Sequence, residues 1–355
     1  MAHENQNFVF DPTTEAFAYD PYPTYAWLRA NAPVYYWAER DTYVLSRQEE
    51  SRAFFTHDLL TTDIHQWEHH PGPGMYEQPG FEAFGRIQRS SPFSLAPQDH
   101  ARVRKLSSVA LTPRAVRRMH DAIADIVDRT LDEIVARDGE VINVRDFAEI
   151  IPLEVICDLV GIPAGLRAEF RVFGQAAIRA AQPTTDGETL ASMAGAFEQG
   201  VALLERIIED RRADQNPPDD LLTDFIQASD EGQRMSNDEL ISIVFALIVA
   251  GSDTTVHGTC YAVESLLRHP EALAEIRADR SLLRGAIEEC LRWNSFGKLG
   301  TYRYATQDME FAGAKLRKGQ AVVMLMGSVL RDERAYDHPE RFDIHRDYQG
   351  SLTFG

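Results

Sequence analysis

The chain has 355 residues, enough for one large domain or two ordinary ones, with 44% hydrophobic and 26% charged residues. Its 36 Lys and Arg against 55 Asp and Glu leave a net charge of −19, which excludes general nucleic-acid binding and fits a soluble, acidic surface. Cys157, Cys260 and Cys290 are too few and too scattered for a disulfide framework or a thiolate zinc site. With no leader pattern and no uninterrupted apolar run of membrane-span length, a reducing cytoplasm and no bilayer anchor are expected.

Residues 1–60 mix short helix and strand signals. Pro21 to Asn31 has helical spacing, and Val34–Trp37 and Thr42–Leu45 read as a β-hairpin around Glu39-Arg40-Asp41. From Thr61 to Pro97 the chain reads as a long loop, of the kind that is usually functional. Within it His65-Gln66-Trp67-Glu68-His69 has the H-x-x-E-H spacing of inverted zinc peptidases, in which one helix turn presents two His to the metal and the Glu acts as base. Pro71 follows too soon for a mid-helix motif, so a polar loop rich in His and aromatics is the competing reading of this remote zinc-hydrolase signal.

His100 and Arg104 lie one turn apart on a helix. Between Ala101 and His120 there are six Lys or Arg (Arg102, Arg104, Lys105, Arg114, Arg117, Arg118) and no acid. The stretch is either a solvated basic face or a two-sided helix, one side holding a buried anion and the other docking an acidic partner. Helices follow from Thr112-Pro113 to about Arg137, then Arg145–Val160, Ala164–Ala181, Leu190–Asp214 and Asp220–Ala228. No G-x-G-x-x-G, P-loop or G-x-S-x-G pattern occurs.

Ser236 to Pro270 reads as a single helix roughly 50 Å long at about 1.5 Å per residue, opened by the capping box Ser236-Asn237-Asp238-Glu239 and stopped by Pro270. Its first half is apolar nearly all round and is expected in the core. Its middle, Ala250-Gly251-Ser252-Asp253-Thr254-Thr255, is not. Thr254 can donate to the Ala250 carbonyl and open a bulge or kink, with Asp253 as a buried carboxylate beside a groove lined by small residues. That is a proton-delivery site by chemistry, or else a core helix whose Gly and Thr pack closely. Beyond it, Glu289 and Arg292 are three apart and can pair. Strands are expected at Thr301–Tyr304, Met309–Phe311 and Gln320–Met326, then a turn-rich meander from Asp337 to Arg346 and an end at Leu352-Thr353-Phe354-Gly355. The fold class is mainly α with small β-sheets, in one domain over 1–355.

Together and in this order these pieces resemble the cytochrome P450 haem-thiolate monooxygenases in their soluble bacterial form, over nearly the whole chain. Ala250–Thr255 resembles the oxygen-activation motif of the long central helix, with Asp253 and Thr254 as its acid and alcohol. Glu289-Cys290-Leu291-Arg292 resembles the E-x-x-R helix, and Pro339-Glu340-Arg341-Phe342 the meander, with the Arg341 guanidinium expected to join Glu289 and Arg292.

The resemblance implies haem b as cofactor, its propionates bound by His100, Arg104 and Arg303, with Ala250, Gly251 and Phe354 against it. Phe354-Gly355 matches the opening of F-G-x-G-x-H-x-C-x-G, which places the axial Cys just past Gly355, and the final helix with it. It implies insertion of one atom of dioxygen into an apolar or aromatic small molecule, with electrons from an external ferredoxin or flavodoxin. The basic cluster from Arg102 to Arg118 is the expected dock, and Phe245, Val249, Phe296 and Leu299 are expected in the substrate pocket, with Lys298 able to meet a substrate carboxylate. The alternatives are a haem-binding sensor or carrier without turnover, or an apo fragment. All three Cys are expected to be inert packing residues.

Overall fold

The structure, a computed structural model, describes residues 8–69, 81–92, 95, 97–110, 117, 119–136, 141–180, 187–228, 232–295 and 297–353, with backbone alone at 97, 109, 110, 180 and 187–191. Its first helices, in chain order, are α1 (Glu15–Tyr19), α2 (Tyr22–Asn31), α3 (Gln48–Thr56), α4 (Glu82–Arg89), α5 (Pro97–Ala110), α6 (His120–Val135) and α7 (Val144–Val160). There follow α8 (Arg167–Ala180), α9 (Gly187–Ala213), α10 (Leu221–Gln227), α11 (Asn237–Arg268), α12 (Pro270–Ala278), α13 (Leu283–Trp293) and α14 (Met326–Val329). The strands are β1 (Val34–Trp37), β2 (Thr42–Leu45), β3 (Leu60–Thr61), β4 (Tyr302–Ala305), β5 (Met309–Phe311), β6 (Ala314–Leu316) and β7 (Ala321–Met324). Two units form, one from Met1–His70 with Gly258–Gly355 and the other from Pro71–His257.

The first unit is built on a five-stranded sheet of order β1-β2-β7-β4-β3. The predicted hairpin is present, with Val34 opposite Leu45, and β2 then runs parallel to β7 with Val44 opposite Val323. Strand β7 is apolar and buried at every position, as a central strand covered on both faces should be. Its pleat sorts the cores: Val322 and Met324 join Leu45, Phe54 and Phe311 on one face, while Val323 and Leu325 join Val44, Tyr25 and Leu28 on the other. A hairpin of β5 and β6 forms a separate small sheet.

The second unit is helical. Its core takes Leu240, Ile241, Ile243, Val244, Phe245 and Ile248 from α11, together with side chains from α4, α5 and α7 to α10. This is the all-round burial expected of the first half of the long helix. Gly200 of α9 lies against the Phe173 ring of α8, so an added Cβ would collide with it. Helix α11 begins with the predicted capping box: Ser236 Oγ accepts from Glu239 N at 3.2 Å, and the Glu239 carboxylate accepts from Ser236 N at 2.8 Å. Among the described residues, this helix alone is long and apolar enough to cross a bilayer, with a mean hydropathy of 1.7, but half of that window is buried in protein, as a core helix requires.

The long loop predicted between Thr61 and Pro97 is interrupted by α4, whose Phe84 and Ile87 face the core. The part from His70 to Gly80 lies outside the described residues.

Candidate active site

Thr254 Oγ1 donates to the Ala250 carbonyl at 2.6 Å, as its spacing predicts. The helix is not interrupted at that bond, since α11 is α-helical throughout Asn237–Arg268. A carbonyl oxygen has two lone pairs and can take the hydroxyl beside a ladder N–H. Ala250 and Thr254 share an exposed face, whereas Ser252 and Val256 on the other side are buried. Asp253 was expected to be buried and is not: its side chain is 38% exposed and borders a cavity of about 500 Å³. His257, one turn on, points Nδ1 at the Asp253 carbonyl oxygen at 2.9 Å. Gly251 serves no tight protein contact, since a Cβ there would meet only Ile156 Cδ1 at 3.6 Å.

Glu289 and Arg292 are fully buried and pair through two bonds, Nε to Oε2 at 2.6 Å and Nη2 to Oε1 at 2.9 Å. The remaining guanidinium hydrogens go to main-chain carbonyls: Nη1 donates to Leu330 at 3.1 Å and Pro339 at 2.8 Å, and Nη2 to Arg341 at 3.1 Å. All five donors of the guanidinium are thus used. Glu289 also accepts from Asp343 N at 2.6 Å and Tyr348 Oη at 2.9 Å. Burial and the Glu289 carboxylate push the Tyr348 hydroxyl far above its ordinary range, so it stays a donor. The expected role of the Arg341 guanidinium is corrected here. Arg341 is exposed and gives the network its carbonyl. The second guanidinium is that of Arg346, with Nε 3.6 Å from Glu289 Oε2, and Arg346 also donates to the carbonyls of Asp337, His338 and Arg341.

Three cations were assigned to an anionic cofactor. His100 is half-buried and Arg104 exposed on α5, and neither has an acidic partner among the described residues. Arg303, on β4 of the other unit, lies over the Phe54 and Phe55 rings at 5.3 and 5.7 Å and, among the described residues, donates only to the Leu60 carbonyl at 3.4 Å. Its Nε is buried without a partner, and desolvation draws its pKa down, the mark of a cation that lacks a counter-charge. The uncompensated charge of Arg303 fits a group that brings its own carboxylate. Phe354 lies outside the described residues. Cys157 and Cys290 are buried, and desolvation pushes their thiols up to about 11 and about 12, which leaves neither as a thiolate. Cys260 is half-buried on α11.

Of the other expected residues, Arg102 is ion-paired to Glu239, and although burial alone would raise that carboxyl, the hydrogen bonds from Arg102 and Ser236 N hold it below its usual range. Arg114 and Arg118 lie outside the described residues. Phe245 is core, 5% exposed and packed in a cluster with Phe84, Phe173 and Phe197 at 5.8–6.4 Å between centroids. The edge and tilted contacts preferred between rings account for that choice over a pocket wall. Val249 is half-buried against the same core, Leu299 packs against the Tyr25 and Leu28 cluster, and Phe296 is outside the described residues. Lys298 donates to the Ala18 carbonyl and is committed there. The zinc reading fails as well: His65 sits in a one-turn 3₁₀ helix, Ile64–Gln66, so no helix presents it with His69. Glu68 and His69 gather instead with Asp41, where Arg317 Nη2 lies 2.7 Å from both carboxylates and fills the place of a cation.

A cytochrome P450 family model matches residues 182–349. The chain is 38% identical to the epothilone C/D epoxidase of Sorangium cellulosum over 98% of its own length and 82% of that protein's. It is 32% identical to the 6-deoxyerythronolide B hydroxylase of Saccharopolyspora erythraea over 98% and 85%. The epothilone D-bound crystal structure of cytochrome P450epoK superposes with a TM-score of 0.85 at 36% identity, over 98% of this chain and 86% of that one. A mid-helix acid and alcohol, a buried Glu–Arg pair clasped by a meander, uncompensated cations and these likenesses agree. The chain belongs to the cytochrome P450 family and is a haem-dependent monooxygenase.

Proposed function

We propose that this P450 oxygenates an apolar small molecule of the polyketide class, with Asp253 and Thr254 as its proton-delivery pair and a ferredoxin or flavodoxin as electron donor. The substrate class is supported by the relatives, among them an epoxidase of epothilones, a hydroxylase of 6-deoxyerythronolide B and a polyketide-biosynthesis P450 of Bacillus subtilis. Bound haem supplies the activation of dioxygen. His100, Arg104 and Arg303 would hold its carboxylates by charge-assisted bonds, and Ala250 would offer a methyl against its plane. Cys157 and Cys290, buried and protonated, would not serve as its thiolate ligand.

The observation that carries the assignment is the 2.6 Å bond from Thr254 Oγ1 to the Ala250 carbonyl, next to the partly solvated Asp253. The bond fixes the hydroxyl's rotamer and leaves its lone pairs open to an incoming donor. The Asp253 carboxyl stands beside it with one side open to solvent. Thr254→Ala is therefore expected to keep substrate binding within about twofold while product per electron falls roughly tenfold or more, with the missing electrons found as hydrogen peroxide. Full coupling in that variant removes Thr254 from the role.

For the redox partner, exposed Arg117 and Lys105 remain of the predicted basic dock. An acidic ferredoxin meets such a patch by electrostatic steering, which salt screens over about 8–10 Å at physiological ionic strength. Arg117→Glu is expected to slow reduction at low salt and to match the parent at high salt, measured by stopped-flow. Equal rates at low salt would place the dock elsewhere. Free buried thiols fit a cytoplasmic setting.

A further inference from the structure

A cavity of about 510 Å³ lies among the first residue of α2, the last turn of α11, the end of α13 and Arg331 just past α14. All of its walls belong to the unit of Met1–His70 and Gly258–Gly355, and its α11 residues begin at Glu264, nearly three helical turns beyond Thr254. Arg331 dominates its electrostatics. The guanidinium carbon lies over the Tyr22 ring at 3.5 Å and the Trp293 ring at 4.1 Å. Nη2 donates to the Trp293 carbonyl, which also accepts from Tyr22 Oη at 2.9 Å. Nε is buried without a hydrogen-bond partner, and among the described residues no acid forms an ion pair with this guanidinium. Desolvation draws its pKa down, as it does for Arg303.

Ser265 stands on the same cavity and is 1% exposed. Its carbonyl accepts from His269 Nδ1 at 2.8 Å, whereas its Oγ is buried with no partner. A helical hydroxyl can turn back on the carbonyl four residues earlier, as that of Thr254 does, and that of Ser265 does not. Glu264, the acid on the wall, is already engaged: Oε1 accepts from Arg268 Nε at 2.9 Å and Oε2 from Asn294 Nδ2 at 3.3 Å. Two guanidiniums against one carboxylate leave one positive charge over, and it is that of Arg331.

Two buried polar atoms without partners on one cavity mark a place for a ligand that brings acceptors, and the volume is that of a small-molecule site. With ring faces against it, the guanidinium has its edge left for polar contacts, and a planar carboxylate matches that edge. The Glu264 carboxylate nearby repels a dianion such as phosphate more than a monoanion. We propose that this cavity binds a small organic acid, a monocarboxylate whose charge is met by Arg331 and whose second oxygen function is met by Ser265. Because Trp293 shares the wall, the bound acid ties the end of α13 to α2 and α11.

The test uses full-length, haem-loaded enzyme with its iron blocked by an azole, so that occupation of the substrate pocket does not count. The probe is 4-hydroxybenzoate, with inorganic phosphate for comparison, followed by calorimetry and by a crystal structure with the acid present. Saturable one-site binding is expected, about tenfold or more tighter than that of phosphate, with the carboxylate on Arg331 Nε. Arg331→Gln should weaken it roughly a hundredfold and Ser265→Ala about fivefold to tenfold. Ser265→Ala should keep the thermal midpoint of the free enzyme, since among the described residues its hydroxyl makes no protein hydrogen bond. If Arg331→Gln does not fold, Ser265→Ala and the crystal structure decide. The proposal is overturned by an absence of saturable binding, by binding that the azole abolishes, by phosphate binding as tightly as the acid, or by Ser265→Ala binding like the parent. A structure in which Nε and Oγ hold only water overturns it equally.

Discussion

Arg292→Ala is expected to lower stability by about 3–5 kcal/mol, enough to leave little folded protein at 37 °C. The size follows from what the change strands. Glu289 is fully buried, and without the guanidinium its carboxylate keeps only Asp343 N, Tyr348 and the longer contact to Arg346. The carbonyls of Leu330, Pro339 and Arg341 lose their shared donor at the same moment, and each unmade bond adds its own desolvation cost. Arg346→Ala should cost less, since its side chain is 10% exposed and its contact to Glu289 is looser. Arg341→Ala should lie within about 0.5 kcal/mol of the parent, because only its main chain takes part. Soluble yield and thermal midpoints of the three variants check the order, and a destabilised Arg341→Ala beside an unaffected Arg346→Ala would reverse the assignment.

Asp253→Asn is expected to cut product formation about a hundredfold or more while substrate still binds within about twofold. The amide keeps the size of the carboxyl and its place on the helix, but at neutral pH it has no proton to hand over. Because the side chain is partly exposed and makes no buried ion pair, the loss should not come from unfolding. Product formation at saturating reduced partner, beside a spectroscopic titration of substrate binding, separates the two effects. A rate within a few-fold of the parent would mean that Thr254 draws on another donor.

The ends of α11 were legible because they are written locally: Ser236 and Glu239 cap it, and Pro270 opens α12. The β1–β2 hairpin was legible for the same reason. Helix α3 was missed because most of Gln48–Thr56 is polar and only Ser51 and Phe54 are buried. Strands β3 and β6 are two and three residues long and exist only through pairing with β4 and β5, which no local pattern announces. In the site, the pairing of Glu289 with Arg292 follows from helix geometry. Which meander arginine joins them depends on how a turn at 343–346 aims a side chain, and two arginines five residues apart look alike in a linear chain. The apolar face of α11 read correctly as buried, yet whether Phe245 met a ligand or other rings was decided by Phe84, Phe173 and Phe197 on three other helices.

Strand β7 takes its parallel place beside β2 across a long gap in the chain, with Leu45 opposite Met324. On a ribosome adding about 5–20 residues each second, β2 emerges and then waits roughly a quarter of a minute to a minute for its neighbour. Through that interval β2 carries an unpaired edge of Thr42-Tyr43-Val44-Leu45, an invitation to other nascent chains. The Pro71–His257 unit, contiguous in sequence, can close meanwhile. Overexpression at reduced temperature with a holdase chaperone that covers exposed strands should therefore raise soluble yield by protecting the amino-terminal hairpin until its late partner arrives.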